Sequence, residues 1–216
     1  MTPNRLTLPL LILLFLLPVV PSSGLSWLGI DTGLILLINT DQDSAPSPLL
    51  NTLGVSIPFL GGDNPLYWEG SLLFFNTHYQ HSIGANGMDR FTPAEIEKAD
   101  SLWTLGLILD TRFGYALKLG DTVRIGGAAG LAAVFRLPLI AIEQGGEYQG
   151  PAMSYFLTRF LYPELELAVH WDILKSMGLA IAVRGLFPLF HIWDGENLPF
   201  FDQMMIMGNL EFRIFL

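Results

Sequence analysis

Between Leu102 and Leu119 the side chains alternate for eighteen residues, and no other stretch limits the possible folds so tightly. The odd positions Trp103, Leu105, Leu107, Leu109, Phe113, Tyr115, Leu117 and Leu119 are apolar, interrupted only by Thr111. Between them stand Thr104, Gly106, Ile108, Asp110, Arg112, Gly114, Ala116 and Lys118. A period of two is the period of a strand with one apolar face. A tilted strand crosses a bilayer in about 9 to 11 residues, so this one is long enough to span and stand clear.

Charge indicates which medium the apolar face meets. Only 14% of the 216 residues are charged, against roughly 25% in an ordinary soluble domain. The only lysines are Lys98, Lys118 and Lys175. A soluble barrel would turn its apolar faces inward and coat the outside with charge, which this chain lacks. Lipid is therefore the expected medium. Arg124, Arg136 and Arg184 interrupt the longest later apolar runs, and the period is not helical, which disfavours a bundle of membrane helices.

The N-terminus reads as a secretory signal over residues 1–24, with the mature chain from 25 to 216. Arg5 is the charged n-region, Leu6 to Val20 the apolar region, and Pro21, Ser22, Ser23 and Gly24 precede a cut expected after Gly24, within two residues. The alternative is an uncleaved anchor, for which fifteen apolar residues are short. Removing the signal leaves ten basic and twenty acidic residues. There is no basic patch to suggest a nucleic-acid partner, and the absence of cysteine excludes a disulfide framework.

The alternation recurs seven more times. Leu28, Ile30, Leu34, Leu36 and Ile38 form one apolar face, then Leu53, Val55, Ile57 and Phe59, then Trp68, Gly70, Leu72 and Phe74. After the organising strand come sets over Val123–Leu137, Leu161–Ile173, Leu179–Leu189 and Met204–Leu216. Connections after the second, fourth and sixth strands are short, and the others run to a dozen residues or more. Thr92-Pro93-Ala94-Glu95 reads as a capping box, predicting a short helix from Pro93 to about Asp100 in the second long loop. Parity places Leu119 opposite Val123 across a three-residue turn, and a three-residue turn after the sixth strand would place Glu166 opposite Arg184.

An even number of strands, short turns at one end and long loops at the other describe an all-β, eight-stranded antiparallel up-and-down transmembrane barrel. With the signal segment and the apolar-alternating final strand, the chain resembles the small eight-stranded outer-membrane barrels of diderm bacteria, the OmpA, OmpX and OmpW type. Members usually end on an aromatic residue, whereas here Phe215 is penultimate and Leu216 last. The resemblance implies location in the outer membrane of a diderm bacterium, insertion by the barrel assembly machinery, and a monomer surrounded by outer-membrane lipid.

Inward positions sort by depth. Near the outer end lie Ile35, Leu37, Leu73, Phe75, Ile108, Val134, Leu186, Phe190, Met205 and Met207, a candidate apolar ligand site. Nearer the periplasm lies a charged set, Asp31, Asp110, Arg112, Glu164, Glu166, His170, Arg184, Glu211 and Arg213, with Lys118, Arg124 and Asp172. Eight strands enclose room for side chains or one small ligand. The two halves can be plain core, or an apolar chamber over a polar floor, as in the OmpW-like arrangement. In the second case the protein is a narrow conduit or binding pocket for small hydrophobic molecules. Pro58, Pro163 and Pro188 are candidate ladder defects for sideways exit.

The alternative function is structural or adhesive. The four long loops, residues 41–51, 78–101, 138–153 and 191–202, hold eleven of the twenty acids against only Arg90 and Lys98. His78 and His81 give a weak metal signal, and two solvated histidines are the plainer account. Ser154, His170 and Asp172 form a triad on paper, but no nucleophile motif surrounds the serine. No enzyme activity, metal or cofactor is expected.

Overall fold

Among the described residues the eight alternating segments become eight antiparallel strands that close on themselves, and a ninth, short strand forms within the second long loop. They are β1 Trp27–Leu37, β2 Leu49–Leu60, β3 Leu66–Ile83, β4 Asp89–Ala94, β5 Ser101–Lys118, β6 Val123–Ala141, β7 Leu161–Leu174, β8 Met177–Leu186 and β9 Met205–Phe215. This computed structural model describes residues 26–40, 47–60, 65–84, 87–94, 101–141, 143–195 and 198–216. The expected signal segment lies outside the described residues. Neighbours run β1, β2, β3, β5, β6, β7, β8, β9 and back to β1. Closure is made by the β1–β9 ladder, in register from Trp27 opposite Phe215 to Leu37 opposite Met205.

Outward residues such as Ile30, Leu53, Phe113, Leu167, Ile181 and Phe212 are exposed and apolar, forming the lipid-facing belt. Both ends of the barrel-forming chain, Trp27 and Phe215, meet at the end with the short turns. The expected registers hold. Leu119 donates its N–H to the Val123 carbonyl at 2.8 Å, and Glu166 sits opposite Arg184. The second register is reached differently from the three-residue turn expected. Leu174 pairs with Met177, and the ladder shifts between Asp172 and Leu174 to compensate.

Two inward glycines admit large rings. A Cβ on Gly106 would fall on the Phe75 ring, and one on Gly114 on the Tyr67 ring. Each aromatic ring thus lies flat over a neighbouring strand that lacks a side chain there.

The predicted helix from Pro93 is not formed at its start: Thr92, Pro93 and Ala94 belong to β4, opposite Gln80, Tyr79 and His78. Residues 95–100 lie outside the described residues. The reason is the upper edge of β3. Its pairing with β2 ends at Thr52 opposite Phe75, and β4 folds back onto the backbone groups β3 would otherwise leave unpaired. Pro93 is tolerated because β4 pairs along one side only. A helix appears instead in the third long loop, α1 Gln149–Leu157. Pro151 sits in its first turn, where a missing N–H costs little. Ala152, Tyr155 and Phe156, at i, i+3 and i+4, face inward.

Of the three prolines expected to break the ladder, only Pro58 does, with a shift between Pro58 and Leu60. Pro163 continues the β6–β7 register opposite Leu131. Its carbonyl accepts from the Phe187 N–H at 2.9 Å, one step past the last residue of β8, so the missing donor faces a position where the strand has already ended. Pro188 also lies beyond β8. A shift that parity did not anticipate falls between Trp103 and Thr104, where Thr104 meets Pro138.

A closed barrel of this kind should migrate faster in a detergent gel when unheated than when boiled. Gly106→Leu, which drives a side chain into Phe75, should cost about 1–3 kcal/mol and lower the temperature at which the fast band disappears. Equal mobility before and after boiling would contradict closure.

Candidate functional site

Strand parity turns the two inward sets into two layers, except that β8 ends at Leu186, short of the expected Leu189, and Phe190 reaches the upper layer from a 3-10 turn, Leu189–Ile192. All ten outer residues, Ile35, Leu37, Leu73, Phe75, Ile108, Val134, Leu186, Phe190, Met205 and Met207, join one buried apolar cluster. Its roof comes from elsewhere in the chain. β4 contributes Phe91 and α1 contributes Tyr155 and Phe156, which pack with Tyr79 of β3 and Tyr162 of β7. Ring centroids of Tyr79 and Phe156 lie 4.7 Å apart, and those of Phe91 and Tyr155 5.4 Å apart. The upper lumen is therefore occupied by the protein's own side chains.

Below it lies a floor of buried charge. Arg112 reaches Glu166 at 2.6 Å, Glu69 at 3.2 Å and Asp110 at 3.5 Å. Arg184 reaches Asp110 at 2.5 Å, Glu164 at 2.7 Å and Glu166 at 3.8 Å. Arg213 joins Glu211 at 2.8 Å and Glu69 at 3.2 Å. Ser56 donates to Glu211 at 2.7 Å, and Ser71 donates to Asp110. Glu166 thus belongs mainly to Arg112, two strands away, and only secondarily to its cross-strand neighbour Arg184. All nine predicted members are buried. Asp31 faces Glu211 across the closing ladder. His170 meets the Tyr67 ring edge at 6.0 Å with neither ring nitrogen hydrogen-bonded.

Glu69, Ser56 and Ser71 were not singled out by sequence reasoning, although parity alone puts them inward. Glu69 and Ser71 continue by twos from the inward positions Leu73 and Phe75, and Ser56 faces Ser71 across the β2–β3 ladder. Burying a charge is tolerable only where it is paired. Guanidiniums shared among carboxylates of several strands meet that condition while tying the wall together across the lumen.

Beneath the floor a cleft of about 260 Å³ opens at the short-turn end, lined by Ser26, Trp27, Lys118, Asp121, Arg124, Asp172 and Phe215. Arg124 pairs there with Asp172 at 3.1 Å, and the Trp27 ring covers the Arg213 guanidinium at 4.2 Å. The floor separates this cleft from the apolar cluster.

The long-loop end is less solvated than its acid content suggested. Asp202 is buried, accepting from the Thr40 N–H at 2.9 Å and hydroxyl at 2.7 Å and lying 3.5 Å from Arg90. Asp194 is enclosed by His191 at 2.9 Å and Arg159 at 3.7 Å. These two loop acids hold the cap together. Gln203, buried with φ 62°, donates its N–H to the Ile38 carbonyl at 2.7 Å. His78 and His81 lie on β3, not in a loop, and their spacing of three puts them on opposite faces. His81 stacks on Tyr148 at 3.9 Å and bonds Asp89 at 2.8 Å. Ser154 is exposed on α1, whereas His170 is buried in the floor, so the paper triad with Asp172 is not assembled.

No family model matches the chain, and no curated protein matches it. Among solved structures it is similar to the outer-membrane enzyme PagL, at 12% identity and TM-score 0.44, covering 88% of this chain and 99% of that one. It is also similar to Ail, the attachment invasion locus protein of Yersinia pestis, crystallised with the heparin analogue sucrose octasulfate. There the identity is 9% and the TM-score 0.42, with 89% of this chain and 97% of that one covered. The architecture is that of small eight-stranded outer-membrane barrels. The expectation that the chain has no enzyme activity is corrected by the match to PagL: a barrel of this class can be an enzyme, so the fold gives no ground for setting catalysis aside.

The floor predicts unequal couplings. Arg184→Met strips the nearest cation from Asp110 and Glu164 and should cost about 3–5 kcal/mol. Double-mutant cycles in urea should give a larger coupling for Arg112 with Glu166 than for Arg184 with Glu166. The reverse order would contradict the arrangement of the floor.

Proposed function

We propose that the chain is an integral outer-membrane barrel of a diderm bacterium, inserted by the barrel assembly machinery as a monomer, whose upper lumen binds a small hydrophobic molecule. The observation that carries this reading is the layering: an apolar cluster on the long-loop side of a floor of paired charges. An apolar solute gains by burial among Ile35, Leu73, Ile108 and Met207, at about 25 cal/mol per Å² of apolar surface removed from water. The same solute meets a barrier at Arg112, Arg184 and Arg213, because passing them means separating buried ion pairs. Ions and water meet the apolar layer first and then the same floor. The protein is therefore a binding pocket and not an open pore.

Entry requires the α1 aromatics to yield, since Tyr155 and Phe156 occupy the roof. The ladder shift between Pro58 and Leu60 lies beside Glu69 of the floor, below the apolar cluster, and gives that cluster no sideways exit. Methionines at positions 205 and 207 suit a pocket that must repack around different occupants.

A second reading is favoured by the close packing of that same cluster, which serves equally as the core of a structural or adhesive barrel. On this reading the acidic loops do the work.

Planar-bilayer recording of the refolded protein should show no steady conductance. Leu73→Glu should abolish uptake of an apolar solute into liposomes carrying the barrel, while leaving the folded gel band intact. Steady cation-selective current would overturn the closed floor. Solute uptake unchanged by Leu73→Glu would favour the structural or adhesive reading.

A further inference from the structure

We infer that Arg136 is the head-group site for a singly charged anionic amphiphile, with the chemistry of a long-chain carboxylate, whose tail lies in the apolar cluster. This rests on the reading of the upper lumen as a binding pocket and names the class of molecule it takes.

Arg136 differs from the other buried arginines. Arg112, Arg184 and Arg213 share the carboxylates of the floor, Arg159 has Asp194, and Arg90 has Asp202. Arg136 is 2% exposed, yet no described carboxylate lies within ion-pair distance. Its guanidinium donates to the Arg159 carbonyl at 2.9 Å and to the Tyr162 hydroxyl. The faces of Tyr162 and Phe156 stand 5.5 and 6.0 Å from its central carbon. These neighbours orient the charge, but all are neutral. Its Nε has no hydrogen-bond partner. A buried cation without a counter-charge carries a desolvation penalty that neutral hydroxyls offset only in part.

Position supplies the rest of the argument. Arg136 lies opposite Gly106 on β5, and the Phe75 ring covers that glycine. Two residues along the same face of β6 is Val134, a member of the apolar cluster. A carboxylate on the Arg136 guanidinium thus has apolar walls directly beneath it. One guanidinium matches one negative charge, and a planar carboxylate matches its paired donors. The unpaired cation sits at the roof of the cluster and the floor closes its base, so the head group lies outermost and the tail points inward.

The test is a fluorescence titration of the folded barrel with cis-parinaric acid and with its methyl ester, each read as the saturable signal. The ester keeps the tail and removes the charge. The acid should bind more tightly by about ten-fold or more, the ratio supported by a charge-assisted hydrogen bond. Arg136→Gln should remove that preference by weakening the acid and leaving the ester unchanged, and Arg136→Lys should restore part of it. Equal binding of acid and ester to the unaltered protein overturns the head-group assignment while leaving the pocket reading intact. Failure of both to bind overturns the two together. The comparison on the unaltered protein decides even if Arg136→Gln does not fold, and an acid preference that persists in a folded Arg136→Gln also overturns the assignment.

Discussion

The hydrogen bonds between β1 and β9 are the constraint on which the rest depends. A strand in hydrocarbon cannot give its N–H and C=O groups to water, and each unsatisfied group costs several kcal/mol. The first and last strands must therefore find each other, which they do along the whole of β1. Once they do, eight strands fix the diameter, and the diameter fixes how much the lumen can hold. The same demand for pairing acts above the barrel wall, where β2 stops short and β4 folds back onto the exposed edge of β3.

A narrow closed lumen leaves its inward charges with few places to go. In the lower half they meet across the interior, and Arg112 gathers Glu69, Asp110 and Glu166 from three different strands. In the upper half the wall is apolar and the roof comes from loops. There β4 and α1 supply aromatic rings, and Asp194 and Asp202 tie the loop segments to Arg159, His191, Thr40 and Arg90. Floor and roof fill the lumen with different chemistry, paired charge below and aromatic rings above. Arg136 stands at the roof, a buried cation bounding the apolar layer on its outer side.

Much of this was legible along the chain because strand geometry maps parity onto face. Membership of both lumen layers, apart from Phe190 on its 3-10 turn, and the Leu119–Val123 turn follow from counting by twos, whereas the Glu166–Arg184 pairing is reached through a tighter turn and a ladder shift. Glu69, Ser56 and Ser71 were within reach of the same rule. The Ala152, Tyr155 and Phe156 spacing was a helical signal in a segment assigned to a loop. The capping box at Thr92 misled because local preference lost to an unpaired strand edge, and Pro163 misled because whether a missing N–H matters depends on where the neighbouring strand ends.

The sequence by itself determined the architecture: which residues face lipid, which face inward, which ends carry long loops, and that the inside is apolar toward one end and charged toward the other. Those properties are one-dimensional, set by a period of two and by the order of turns. Only the tertiary structure decided which charge meets which, that the apolar layer is roofed by its own loops, that the Asp194 and Asp202 side chains are enclosed, and that no described carboxylate pairs with Arg136. Partners across a lumen belong to strands far apart in the chain, and their distances depend on stagger, side-chain reach and the path of the loops, none of which parity encodes.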